Sequence, residues 1–188
     1  IGYEALRQNI YGIQNVAIGS NALYENEASY NTGVGYQAME STKDGSSNVA
    51  FGYKSLKTSA NGEFNVAIGA ESLLNSDTSR NTAVGFRSLR QSLAEDNTAY
   101  GFKSSHKNKY GIDNVSIGVE SLHSNVDSSF NLAIGSQSLY NNLSSDNTAI
   151  GYRSSFSNNT GTNNINIGKL SSYSNIDGNG NITLGNQA

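Results

Sequence analysis

The residues best suited to metal or acid–base chemistry in this 188-residue chain are its two histidines, His106 and His123. They fall one repeat apart, each five residues after a glycine, and stacked imidazoles could assemble a metal cluster. The same slot elsewhere holds Arg7, Tyr24, Glu40, Lys57 and Arg90, which reads as an outward-facing position of mixed chemistry, so no metal ligand is assigned. The stretch Asp177-Gly178-Asn179-Gly180-Asn181 has the oxygen-rich look of a calcium loop. It lacks the acidic density and the bidentate Glu of such loops, and reads as a turn. Serine is spread too evenly to define a nucleophile with a base, and no Gly-rich stretch ends in Gly-Lys-Ser/Thr to cradle phosphate. The expectation is therefore no enzyme, no catalytic residue and no cofactor. Candidate contact residues remain: Tyr36, Tyr53, Phe86, Phe102 and Tyr152 recur immediately after a glycine. Such a line of aromatics could bind a ligand or pack between subunits.

What positions these residues is an internal repeat. The pentapeptide Asn15-Val16-Ala17-Ile18-Gly19 returns with its Asn at Asn31, Asn48, Asn65, Asn81, Asn97, Asn114, Asn131, Asn147, Asn164 and Asn181. A truncated copy ends at Gly2, and the spacing is always 16 or 17 residues. The second residue is β-branched in every copy but the one with Leu132, the third is usually Ala, and the fourth is always large and apolar. Alternation of large, small and large marks a short strand with two unlike faces. The bulky face is expected to form the core, and the small face to meet another strand or subunit.

Each strand ends at a glycine: Gly19, Gly35, Gly52, Gly69, Gly85, Gly101, Gly118, Gly135, Gly151, Gly168 and Gly185. A glycine in every copy predicts a positive φ or a crowded corner. Ala or Ser follows three residues later, then Leu or Met in most copies. Ser105, Ser155 and Ser172 replace that Leu in three copies, and there the bulky anchor is expected to shift one place, to His106, Phe156 and Tyr173. Six of the seven longer copies carry an additional Gly three residues before the Asn, which predicts an exposed second turn that takes up the extra residue.

A unit this short, with two strand-like segments and two turns, excludes helical repeats. It predicts an all-β parallel β-roll or β-solenoid of about eleven coils, in which the Asn residues form a ladder along one corner. Residues 1–188 read as a single repeat domain, a fragment of a longer protein whose start lies before the truncated first copy. Hydrophobic residues make up only 36% of the chain and one coil encloses little, so burial shared between copies of the chain is expected. A net charge of -3 with no basic run argues against nucleic acid, and no apolar run is long enough for a membrane helix. The threonines Thr32, Thr82, Thr98 and Thr148 alternate irregularly with Val, Leu and Ile, unlike the flat array an ice-binding surface needs.

Asn65-Val66-Ala67-Ile68-Gly69 followed by Ser72, and the variant from Asn147 to Ser154, carry a likeness. They resemble the head repeats of trimeric autotransporter adhesins of the YadA kind, and related repeats of phage tail fibres and other bacterial trimeric fibres. The resemblance spans essentially the whole chain, although these coils are longer than the usual adhesin repeat. It implies a left-handed β-roll, a homotrimer, and an extracellular place on a bacterial surface or a virion. It also implies attachment to a cell-surface glycan or protein, or a passive spacer's role in the fibre.

Overall fold

The computed structural model describes residues 1–188. Eleven three-residue strands form one parallel sheet in strict chain order. They are β1 (Val16–Ile18), β2 (Thr32–Val34), β3 (Val49–Phe51), β4 (Val66–Ile68), β5 (Thr82–Val84), β6 (Thr98–Tyr100), β7 (Val115–Ile117), β8 (Leu132–Ile134), β9 (Thr148–Ile150), β10 (Ile165–Ile167) and β11 (Ile182–Leu184). Val16 pairs with Thr32 and Ile18 with Val34, and that register is kept through Leu184. The chain is thus a β-solenoid with one coil per strand. At about 4.8 Å per step it is a rod on the order of 50 Å long.

The second segment of each coil is not a strand. It is a run of turns, with β-bridges only between Ser41 and Thr58 and between Thr58 and Asn75. Asn21 and Leu23 take left-handed backbone angles (φ 56° and 52°) on either side of Ala22, and the equivalent residues do so in coil after coil. The amides of the two left-handed residues reach opposite neighbours, while Ala22 N–H between them donates to Gly19 C=O of its own coil. Asn21 N–H donates to the Tyr3 carbonyl of the coil before, and Leu23 N–H to the Ala38 carbonyl of the coil after, both at 2.9 Å. Left-handed backbone costs about 1 kcal/mol or more per non-glycine residue. Bonding to both neighbouring coils offsets that cost, and of 106 backbone hydrogen bonds only 20 lie within the strands.

The strand faces are reversed from the sequence expectation. Ala17, Ala50, Ala67, Ala83, Ala99, Ala133 and Ala149 point inward and are buried, while Val16, Ile18, Val49 and Phe51 point outward and are exposed. Space decides it. The opposite wall sends in Leu23, Met39, Leu56, Leu73, Leu89, Leu122 and Leu139, all fully buried. A Cβ built on Gly33 would already lie 3.1 Å from Leu23 Cγ, so the bore takes one large side chain per coil.

Where Ser replaces Leu, no bulky anchor takes its place. Ser105, Ser155 and Ser172 instead hydrogen-bond to a polar residue at the inward strand position of the next coil. These pairs are Ser105–Ser116 (2.8 Å), Ser155–Asn166 (2.6 Å) and Ser172–Thr183 (2.9 Å). They divide the interior, leaving one apolar cluster from Ala17 to Ala99 and a second from Leu122 to Ala149.

The corner glycines have φ between 121° and 139°. A Cβ on Gly85 would sit 2.5 Å from the Gly101 carbonyl oxygen, so the conformation and the packing both exclude a side chain. The second-turn glycines differ from expectation. Gly45, Gly62, Gly111 and Gly161 are buried, and none has a positive φ. They are glycine because a Cβ would strike the next coil, as at Gly161, 2.5 Å from the Gly178 carbonyl oxygen.

Two stability measurements follow. Gly85→Ala should cost about 3 kcal/mol or more in urea unfolding. Gly180→Asn should cost within about 1 kcal/mol, since Gly180 has an αL φ of 67° and open space around it. Ser155→Leu and Asn166→Ala should each destabilise alone. The double variant restores the Leu-over-Ala pairing, and should recover at least about 1 kcal/mol relative to the sum of the singles.

Candidate functional site

The Asn column is a continuous hydrogen-bonded chain. At each of its ten steps the side-chain oxygen of one Asn accepts the backbone N–H of the next, from Asn31 on Asn15 (2.8 Å) to Asn181 on Asn164 (2.9 Å). The side-chain NH2 reaches the outer turn of the following coil, as Asn48 does to the Gly62 carbonyl at 2.7 Å. The residues from Asn31 to Asn164 in this column are buried. Ligands have no access to amides engaged in this way, and the column's role is to hold the coils together.

A second polar column was missed in the sequence. Seven residues after each corner glycine comes Asn, Ser or Thr without exception, including Asn26, Thr42, Ser59, Asn108, Asn125 and Asn158. From Asn26 to Asn158 these residues are buried. Asn108 clamps the longer turn, accepting from Gly111 N–H at 3.0 Å and donating to Gly111 C=O at 2.9 Å. The uniform residue type at a fixed offset was the available signal.

The aromatics after the corner glycines form two stacked pairs, Tyr36 with Tyr53 (5.7 Å) and Phe86 with Phe102 (5.5 Å), separated by Ala70. Lys54, Arg87, Lys103 and Arg153 each lie over a ring, on Tyr53, Phe86, Phe102 and Tyr152 respectively, 4.8 to 5.2 Å from the centroid. The rings are roughly 40 to 50% exposed, but stacking and the cations occupy much of the faces a flat ligand would need.

His106 and His123 stack on one another at 5.5 Å, and His123 stacks on Tyr140 at 4.9 Å. Phe156 and Tyr173 extend the column to five rings. His106 Nδ1 donates to the Arg87 carbonyl at 3.1 Å. No group of three or more His, Cys, Asp or Glu converges anywhere on the chain. In the Asp177–Asn181 stretch, Asn179 Oδ1 already accepts from the Thr162 amide (2.7 Å) and hydroxyl (3.0 Å). Gly178 N–H is held by Asn175, and Asn181 sits in the Asn column. The threonines of the first strand position lie on the outer face among Val, Leu and Ile. Charged pairs are confined to the surface, and Glu71, bonded by Arg87 and Arg90, is held below the ordinary carboxylate range. No helix is long and apolar enough to cross a membrane.

Comparison of the chain with protein-family models, curated proteins and solved structures returned no match.

The histidine stack sets a pH dependence. Burial first, opposed by the hydrogen bond to the Arg87 carbonyl and aided by the nearby charges of Arg90, Lys103 and Arg87, pushes His106 below its ordinary value of 6.5. Burial and then His106 itself do the same for His123, with Glu120 opposing. The unfolded chain therefore binds more protons below about pH 6.5 than the folded one, and stability must fall as pH drops through that range. Thermal melts from pH 7.5 to 5 should show this loss, and replacing both histidines by Tyr should remove that part of the slope.

Proposed function

We propose that this chain is a length of an extracellular homotrimeric fibre that attaches to a cell-surface glycan or protein on a host or prey cell. The observation that carries the reading is the outward sheet face. Two in-register columns of Val, Ile, Thr, Leu, Phe and Tyr run the whole rod, and their side chains stand exposed or half-exposed. Tyr30, Phe64 and Phe130 border one side, and the aromatics after the corner glycines border the other. Contiguous apolar surface beyond a few hundred Å² marks an interaction site. Burying one large aliphatic side chain is worth about 1.5–3 kcal/mol, so a full-length contact is strongly favourable.

Aromatic residues recur on both flanks of the band, among polar and charged ones. A cyclic arrangement brings the two unlike flanks of neighbouring chains together and leaves no apolar edge open. Three chains and a left-handed coil are what the likeness to adhesin head and tail-fibre repeats implies. Attachment would then be multivalent, since each patch recurs on every chain. A passive spacer is the second reading, favoured by aromatic faces already covered by stacking and cations.

Light scattering should give about three times the chain mass of 19.9 kDa. Ile117→Asp with Ile134→Asp should abolish assembly. A stable monomer or dimer of the unaltered chain would refute the trimer. Beads coated with the trimer should be retained on target cells if the fibre is adhesive, and should wash off if it is a spacer.

A further inference from the structure

Two furrows lie on the outer wall, away from the sheet face, and both run along the same two residue columns. One rim is set six residues after the corner glycine and the other eight residues after it, while the intervening residue turns into the interior. The upper furrow, of about 400 Å³, is rimmed by Ser124, Asn141 and Ser157 on one side and Leu143, Asn159 and Ile176 on the other. It spans four consecutive coils. That volume is at the lower end of the range for small-ligand sites.

The two furrows differ in what their polar groups are doing. In the lower one, the single Thr58 hydroxyl proton is shared between the Leu74 carbonyl and Asn75 Oδ1, and the Asp77 carboxylate accepts from Asn61. In the upper one, the side chains of Ser124, Asn141, Ser157 and Asn159 make no hydrogen bond within the chain. None of its lining residues is charged. Four free hydroxyl and amide groups in three successive coils, with Leu143 and Ile176 either side of Asn159 on the second rim, lie along the fibre axis.

We infer that the upper furrow binds a linear, neutral, 1→4-linked glycan laid along the fibre axis, one sugar to each coil. This names the ligand class for the adhesive reading above and rests on it. Three properties of the site select that class. Free hydroxyls and amides with aliphatic contacts suit a sugar, which offers hydroxyls at its edge and C–H groups on its face. The coil rise of about 4.8 Å is close to the advance of one pyranose in such a chain, whereas an extended peptide advances about 3.3 Å per residue and falls out of step. Nucleic acid and acidic polysaccharides need cations along the whole track, and the lining of the furrow has none in its four coils, Lys107 and Lys109 lying in the coil below them.

The test uses the assembled fibre and neutral β-1→4 oligosaccharides of the cello and N-acetylchito series, from dimer to hexamer, with affinity read by calorimetry. Affinity should rise several-fold with each sugar up to the tetramer and then level off, as the four coils fill. Ser157→Arg should weaken tetramer binding by more than about tenfold, while Thr58→Arg in the lower furrow should leave it unchanged. Absence of binding at any length, affinity independent of length, or an unaffected Ser157→Arg fibre would each overturn the assignment. Bead attachment is read in parallel. A fibre that attaches to cells but binds no oligosaccharide sinks the furrow alone; one that binds oligosaccharide but does not attach sinks the adhesive reading and leaves the furrow standing.

Discussion

The Asn column is the interaction on which the rest of the coil depends. A buried primary amide left without partners would cost a few kcal/mol, and each of these finds its partners mainly in the next coil. Its oxygen meets the next Asn amide and its nitrogen meets the next outer turn. A slip of one residue in any coil would break both bonds and strand two polar groups inside. Register is therefore enforced at every step, and a three-residue strand is enough because it never has to set the register alone. The same coil-to-coil bonding lets residues such as Leu23 and Leu56 hold left-handed backbone that they would not adopt in isolation.

With register secured at the corner, the interior can be very narrow. One Leu or Met from the turn wall against one Ala or Gly from the sheet fills the bore. The larger strand residues have no room inside and are sent out. The usual relation between residue size and burial is thus inverted on the strand. That inversion gives the rod both a narrow, closely filled bore and an apolar exterior band.

Much of this was legible in the chain. The strand positions, the corner glycines and the Asn spacing all follow from a repeat with fixed offsets. Which strand face points inward was not, because large-small-large alternation is equally compatible with either, and general hydrophobicity favours the wrong one. The deciding signal was subtler. Leu23, Met39, Leu56 and Leu89 are each followed in the next strand by Gly33, Ala50, Ala67 and Ala99, whereas Ser105, Ser155 and Ser172 are followed by Ser116, Asn166 and Thr183. Size and polarity change together at these two places, which identifies them as facing each other across the bore. The five-ring stack was obscured for a related reason. By sequence His106, Phe156 and Tyr173 read as displaced core residues, although they continue a surface column shared with His123 and Tyr140. The upper furrow could not be read at all, since it depends on which hydroxyls and amides remain free after folding.

The direction of the coil-to-coil hydrogen bonds also sets how the rod meets mechanical load. They run parallel to the axis, so tension along an isolated chain loads them in series, and the terminal coil is the weakest link. Each coil that peels away converts a rise of about 4.8 Å into a slack strand of roughly 55 Å. The released length would act as a shock absorber, yielding in equal increments while the remaining coils stay in register. Chains joined along their outer bands would share that tension sideways, so assembly would also set the force at which the first coil lets go.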